Sequence, residues 1–86
     1  MVNQLTVQKV LVAILQTELD GKLSTVTEIM IKKVNVSYSW ANNLKNMMVR
    51  GGYITETKNG RMVILKLTEI GKVFAEEMLK NKEVSK

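Results

Sequence analysis

The chain has 86 residues, 45% of them apolar and 24% charged, and carries a formal net charge of +5. That describes one small domain, or at most a domain with a short tail, and excludes a disordered chain. Cys and His are both absent, which removes disulfides, thiolate metal sites, a cysteine nucleophile, the usual zinc ligand and the usual general base.

No metal, no cofactor and no enzymatic activity are therefore expected. The longest apolar runs fall far short of the roughly 18–20 residues of a membrane span. No basic stretch leads an apolar one at the N-terminus, as a signal peptide would require. A cytoplasmic protein without a membrane partner is expected.

The elements follow in chain order. Leu5, Val10, Leu11, Ile14, Leu15 and Leu19 recur at helical spacing and predict a helix α1 from Asn3 to Asp20, stopped by Gly21. Its apolar positions cover about 200° of the circumference, twice the stripe that one contact face needs. Lys22-Leu23-Ser24 leaves room for a brief extended piece, β1. Thr25-Val26-Thr27-Glu28 has the form of a capping box. It opens α2, expected over Val26 to Val34, with Ile29, Met30 and Val34 inward and Lys32 and Lys33 outward. Asn35-Val36 breaks the pattern, and Ser37 is a good N-cap for α3, Tyr38 to Arg50, which Gly51-Gly52 ends.

The period then changes from 3.6 to 2. Tyr53 to Lys58 reads as a strand β2 and Arg61 to Leu67 as its returning partner β3, around the hairpin signal Asn59-Gly60. A two-residue turn there would pair Lys58 with Arg61, Glu56 with Val63 and Ile54 with Leu65. Thr68 caps α4, about 68–82, with Ile70, Val73, Phe74 and Met78 as its apolar stripe and the residues from Asn81 onward expected to fray. The fold class is thus mainly α with a small β-hairpin (α+β), in the order α1-(β1)-α2-α3-β2-β3-α4. Two helices joined by two or three residues form a helix-turn-helix, and the hairpin behind them forms a wing.

Four short stretches carry a resemblance. They are Val34-Asn35-Val36-Ser37 at the turn; Ala41, Leu44 and Met48 in α3; Arg50-Gly51-Gly52-Tyr53-Ile54 leading into the hairpin; and Leu67-Thr68-Glu69-Ile70-Gly71 leading out. In this order and spacing the chain resembles the winged helix-turn-helix DNA-binding proteins, most nearly the MarR/PadR type. The resemblance implies that α3 enters the major groove and that the wing lies on the backbone or in the minor groove. MarR proteins are longer, with extra terminal helices, and their wing carries an Asp-Arg pair that this Asn-Gly wing lacks.

The residues support that reading independently. Positive charge is concentrated mid-chain: residues 22–52 hold five cations against Glu28, and residues 53–67 hold three against Glu56, while the two ends are neutral or slightly acidic. On a helical wheel Ala41, Leu44 and Met48 form the core side of α3. The opposite side carries Ser39, Asn42, Asn43, Asn46 and Arg50, with no carboxylate between Ser37 and Arg50. Asn is a poor helix former, so three on one face call for a reason. An amide can pair bidentately with adenine, and Arg with guanine or phosphate. Ser37 and Tyr38 sit where the helix N-terminus meets a phosphate. Lys58 and Arg61 flank the wing tip. Lys32, Lys33 and Lys45 read as phosphate contacts, Lys being a point charge. Trp40 lies on the same side as Met47, beside the core, and reads as a half-buried packing residue, with a DNA contact as the alternative. Met30, Met47, Met48, Met62 and Met78 read as core filler.

The expected partner is double-stranded DNA. The expected role is a transcriptional regulator, a repressor, since blocking a promoter requires only occupancy; this makes the protein nucleoid-associated. The alternatives are an architectural nucleoid-type protein of the same fold with little sequence preference, or a winged helix that binds only protein. The whole chain, 1–86, is read as one domain. Leu5, Val12 and Leu19 on α1 and the α4 stripe exceed what one core needs, so α1 and α4 are the candidate dimerisation elements of a homodimer.

Overall fold

This computed structural model describes residues 4–84. Helix α1 runs Gln4–Leu19; its expected start at Asn3 lies outside the described residues. The helix ends at Gly21, whose φ of +73° is left-handed. The Lys22 N–H reaches Thr17 O and the Gly21 N–H reaches Glu18 O, at 3.1 and 3.0 Å. That is a Schellman cap, and Gly adopts its left-handed residue without strain. α1 is the central helix, touching α2, α4, β1 and β3. Val10, Leu11, Ile14 and Leu15 are all buried along it. An apolar arc twice the usual width is thus absorbed largely within the monomer.

β1 is Ser24–Thr25, a little later than its expected place. The next segment, α2, spans Thr27–Lys33 and is wound as a π-helix: the Val34 N–H bonds Ile29 O, five residues back, at 2.9 Å. The expected α-helix of Val26 to Val34 is corrected in its winding. Seven residues are too few for the apolar pattern to separate periods of 3.6 and 4.4. Ile29 and Met30 are buried as expected, while Val34 is only half-buried. Half of the predicted capping box forms, with the Glu28 N–H donating to Thr25 Oγ1 at 3.1 Å. The Glu28 carboxylate turns instead to Lys32, at 3.2 Å.

Asn35 makes the turn with φ +66°, a conformation its short polar side chain tolerates best among non-glycine residues. α3 is Tyr38–Arg50, capped by Ser37 Oγ, which accepts from the Trp40 N–H.

The hairpin strands are β2, Ile54–Asn59, and β3, Met62–Leu67. With β1 they form a three-stranded antiparallel sheet in the order β1-β3-β2. Lys58 pairs with Val63, Glu56 with Leu65 and Ile54 with Leu67. The expected register, with Lys58 opposite Arg61, is corrected by two residues. The reason lies in the turn. Gly60, at φ +62°, takes its first central position, so Gly60-Arg61 rather than Asn59-Gly60 forms the loop. A slip of two preserves which side chains share a face. Arg61 leaves the ladder and sits at the tip.

The root of the wing is latched to the start of α4, Glu69–Val84. The Thr68 N–H bonds Tyr53 O at 3.1 Å, and Thr68 Oγ1 donates to Gly52 O. The same hydroxyl accepts from the Gly71 N–H at 3.1 Å, capping α4. A Cβ at Gly71 would lie 2.0 Å from Tyr53 O, so only glycine permits this approach. The small side of α4, Gly71 and Ala75, therefore faces inward. Ile70, Val73 and Phe74 remain exposed, which corrects the expectation that they form the buried stripe; Met78 is half-buried. The helix continues to Val84, past the expected fraying point at Asn81. Met47 and Met62 are also exposed, contrary to their reading as core filler, whereas Met30 and Met48 are buried.

Ala41, Leu44 and Met48 of α3 join the α1 and α2 residues, Ile54, Leu65 and Ala75 in one core. Burying each large side chain there stabilises by about 1.5–3 kcal/mol. The arrangement is a winged helix-turn-helix in the α+β class.

Candidate nucleic-acid interface

The candidate interface is built on α3, because burial of Ala41, Leu44 and Met48 fixes the helix about its axis. Ser39, Asn42, Asn43 and Arg50 consequently face solvent, and Asn46 is half-buried among them. No carboxylate occurs from Ser37 to Arg50. Ser37 Oγ lies 3.3 Å from Ser39 Oγ, so the cap also holds a second hydroxyl at the helix start. Tyr38 is 72% exposed. The first turn of α3 thus presents free amides, two hydroxyls and a phenol, with the positive end of the helix dipole behind them.

The wing stands beside this helix. Its connection is an ion pair that sequence reasoning missed: Lys45 Nζ lies 2.8 Å from Glu56 Oε2. The Lys45 side chain is only 8% exposed. The expectation that Lys45 contacts phosphate is corrected, because its charge is buried and neutralised by the wing. The signal was available in the spacing. Lys45 follows Ala41 by four residues and so falls on the flank of the core stripe, where only a paired charge is tolerated.

Lys58 shares the sheet face of Glu56, two residues on, and is exposed; Arg61 is exposed at the tip. Among the described residues, Arg50, Lys58 and Arg61 have no carboxylate partner. The helix-two lysines behave differently. Lys32 pairs with Glu28, but both side chains are well exposed, so the pair is worth less than about 1 kcal/mol and yields to a stronger anion. Lys33 donates to Thr17 Oγ1 at 2.8 Å, and that hydroxyl donates on to Ala13 O. The bond to Thr17 holds the ammonium beside α1, although Lys33 stays exposed.

One further departure concerns α3 itself. Trp40 and Met47 are 44% and 50% exposed, and neither belongs to the core. Their reading as packing residues is corrected. Trp40 lies about 75° and Met47 about 95° from the centre of the Ala41, Leu44 and Met48 stripe, at its edge.

The structure therefore brings Ser37, Tyr38, Ser39, Asn42, Asn43, Asn46 and Arg50 together on one helix, with Lys58 and Arg61 on the adjoining wing. It sets Lys45 aside, while Lys33 stays exposed with its ammonium on Thr17. No helix among the described residues is long and apolar enough to cross a membrane.

No protein-family model matches the sequence, and no curated protein matches it. Solved structures resemble it in fold. AF1382 from Archaeoglobus fulgidus superposes with a TM-score of 0.89 at 19% identity, covering 99% of this chain and 92% of that one. The adhesin competence repressor AdcR from Streptococcus pyogenes gives 0.74 at 22% identity, over 93% of this chain and 57% of the repressor, so the present chain spans little more than half of it. Sso10a-2, a DNA-binding protein from Sulfolobus solfataricus, gives 0.62 at 22% identity, over 88% and 80% of the two chains. Likeness at this level of identity establishes the fold, a winged helix-turn-helix.

Proposed function

We propose that this chain binds double-stranded DNA with sequence specificity and acts as a transcriptional regulator, a repressor, with α3 in the major groove and the wing on the backbone or minor groove. The observation that carries the reading is the exposed, acid-free face of α3, where Ser39, Asn42, Asn43 and Asn46 stand beside Arg50. Amides of this kind suit adenine edges, and the cations of Arg50, Lys58 and Arg61 suit phosphates. The named functions of two structural neighbours agree: AdcR is a repressor and Sso10a-2 a DNA-binding protein. The steps into and out of the wing favour the MarR/PadR type.

The protein acts as a homodimer. One recognition helix spans few base pairs, and two placed about one DNA turn apart, roughly 34–36 Å, read a palindrome. Exposed Leu19, Ile70 and Val73 supply apolar surface on α1 and α4, beside a groove lined by Leu15, Leu79 and Glu76.

Selection of bound duplexes from a random pool tests the reading. An enriched motif with two-fold symmetry is the expected result. Binding without enrichment would make the protein architectural, and no binding at any salt concentration would reject DNA as the partner.

A further inference from the structure

We infer that Trp40 and Met47 form, with Asn43 between them, a strip that reads thymine methyl groups about three base steps apart, so that the preferred site contains thymines as specificity determinants in their own right. This rests on the DNA-binding reading and deepens it. Trp40 and Met47 are seven residues apart on α3 and about 20° apart around it. Asn43 is three residues after one and four before the other, so the three side chains are surface neighbours. All three are exposed, and Trp40 and Met47 leave about half of their area in water.

Trp40 and Met47 form a small apolar patch on a helix whose core side is already complete. Two side chains are too small a patch for a stable protein interface, which needs about 800 Å² per partner. The strip is instead continuous with the acid-free amide face. The major-groove edge of an A·T pair has matching chemistry: adenine N6 and N7 suit an amide, and the thymine methyl beside them suits an apolar group. An amide flanked by two apolar side chains complements an A·T-rich stretch with a thymine methyl at each end. The spacing along the axis, about 10.5 Å, matches three base steps of about 3.4 Å.

The test uses the duplex enriched by selection or, if none is enriched, the A·T-rich fraction of the pool. Each is prepared with thymidine and again with deoxyuridine, which lacks only the C5 methyl. The wild-type protein should bind the uridine duplex roughly fourfold more weakly for each methyl it covers. In Met47→Ala and Trp40→Ala that penalty should shrink, while binding to the uridine duplex changes little. Met47→Ala removes a half-exposed side chain outside the core and decides the matter alone if Trp40→Ala does not fold. Equal affinity for the two duplexes would overturn the inference and leave DNA binding standing. A uridine penalty undiminished in the variants would also overturn it, by placing the methyl contacts elsewhere. Failure to bind either duplex would remove the DNA-binding reading itself.

Discussion

The two helices that bound the wing, α3 and α4, expose opposite chemistries. α3 buries Ala41, Leu44 and Met48 and shows water mainly amides, hydroxyls and one guanidinium. α4 buries Gly71 and Ala75 and shows Ile70, Val73 and Phe74. Both have large apolar residues to place: α3 buries Leu44 and Met48 and leaves Trp40 and Met47 about half exposed, whereas α4 leaves Ile70, Val73 and Phe74 all outside. The cause is the latch at Gly71, which draws the small side of α4 against Tyr53 and leaves the large side chains outward. Phe74 covers part of itself on the Tyr53 ring, at a centroid distance of 5.5 Å. The chain thereby carries a polar cationic face on α3 and an apolar face on α4, the two surfaces to which the proposed DNA contact and the proposed dimer are assigned.

The latch lies where the two faces meet, so breaking it should damage both. Gly71→Ala places a methyl group against the Tyr53 carbonyl, which cannot move without the wing root. The variant should lose about 3 kcal/mol of stability, read as a lower midpoint in urea denaturation. At an exposed helical position the same change would gain about 1 kcal/mol. A Gly71→Ala protein as stable as the wild type would mean that α4 stands off from the wing.

A change confined to α4 should spare the fold and remove the dimer. Ile70→Glu with Val73→Glu replaces two exposed side chains by better helix formers in the early turns of α4, where the dipole favours anions. Sedimentation equilibrium should give twice 9.7 kDa for the wild type and 9.7 kDa for the double variant. Affinity for a palindromic duplex should fall roughly a hundredfold, about 2.7 kcal/mol. A wild type that sediments as a monomer would remove the basis of the palindrome.

What the sequence revealed and what it hid divide along the same line. Caps and stops were legible because they are local: Gly21, Ser37 and Thr68 each perform the task their spacing implied. The extent of α3 was legible for the same reason. Features set by packing were not. The winding of α2, the identity of Glu56 as the partner of Lys45 and the outward turn of Val73 each depend on what lies across the core. The hairpin register was missed by a narrower margin, since Asn59-Gly60 and Gly60-Arg61 both offer a left-handed glycine. Of the twelve residues singled out for DNA, Lys45 was misjudged because its charge sign was visible and its partner Glu56 was not.

A change confined to the amide face of α3 should alter specificity without touching assembly. Asn42→Ala, Asn43→Ala or Asn46→Ala, at a base-contacting position, should cost about 1–3 kcal/mol on the preferred duplex and little on random DNA. Parallel titrations of the two duplexes separate these outcomes. Equal losses on both would assign that amide to positioning rather than to reading.

The smallest effect is expected at the wing, and it should differ in kind. Lys58 and Arg61 are exposed and lack carboxylate partners among the described residues, so neither contributes a contact whose loss would weaken the fold. Their charges act through the counterions displaced when they approach a phosphate. That term is the same for every sequence and vanishes with rising salt. Lys58→Ala or Arg61→Ala should therefore weaken binding to preferred and random duplexes alike, by a few-fold at moderate salt. Each should also flatten the plot of log K against log salt by about one unit. Because Lys58 shares the sheet face of Glu56, which is tied to α3 through Lys45, it should lose more than Arg61 on the register-fixed site. A slope unchanged in both variants would mean that the wing points away from DNA, and that α3 alone makes the contact.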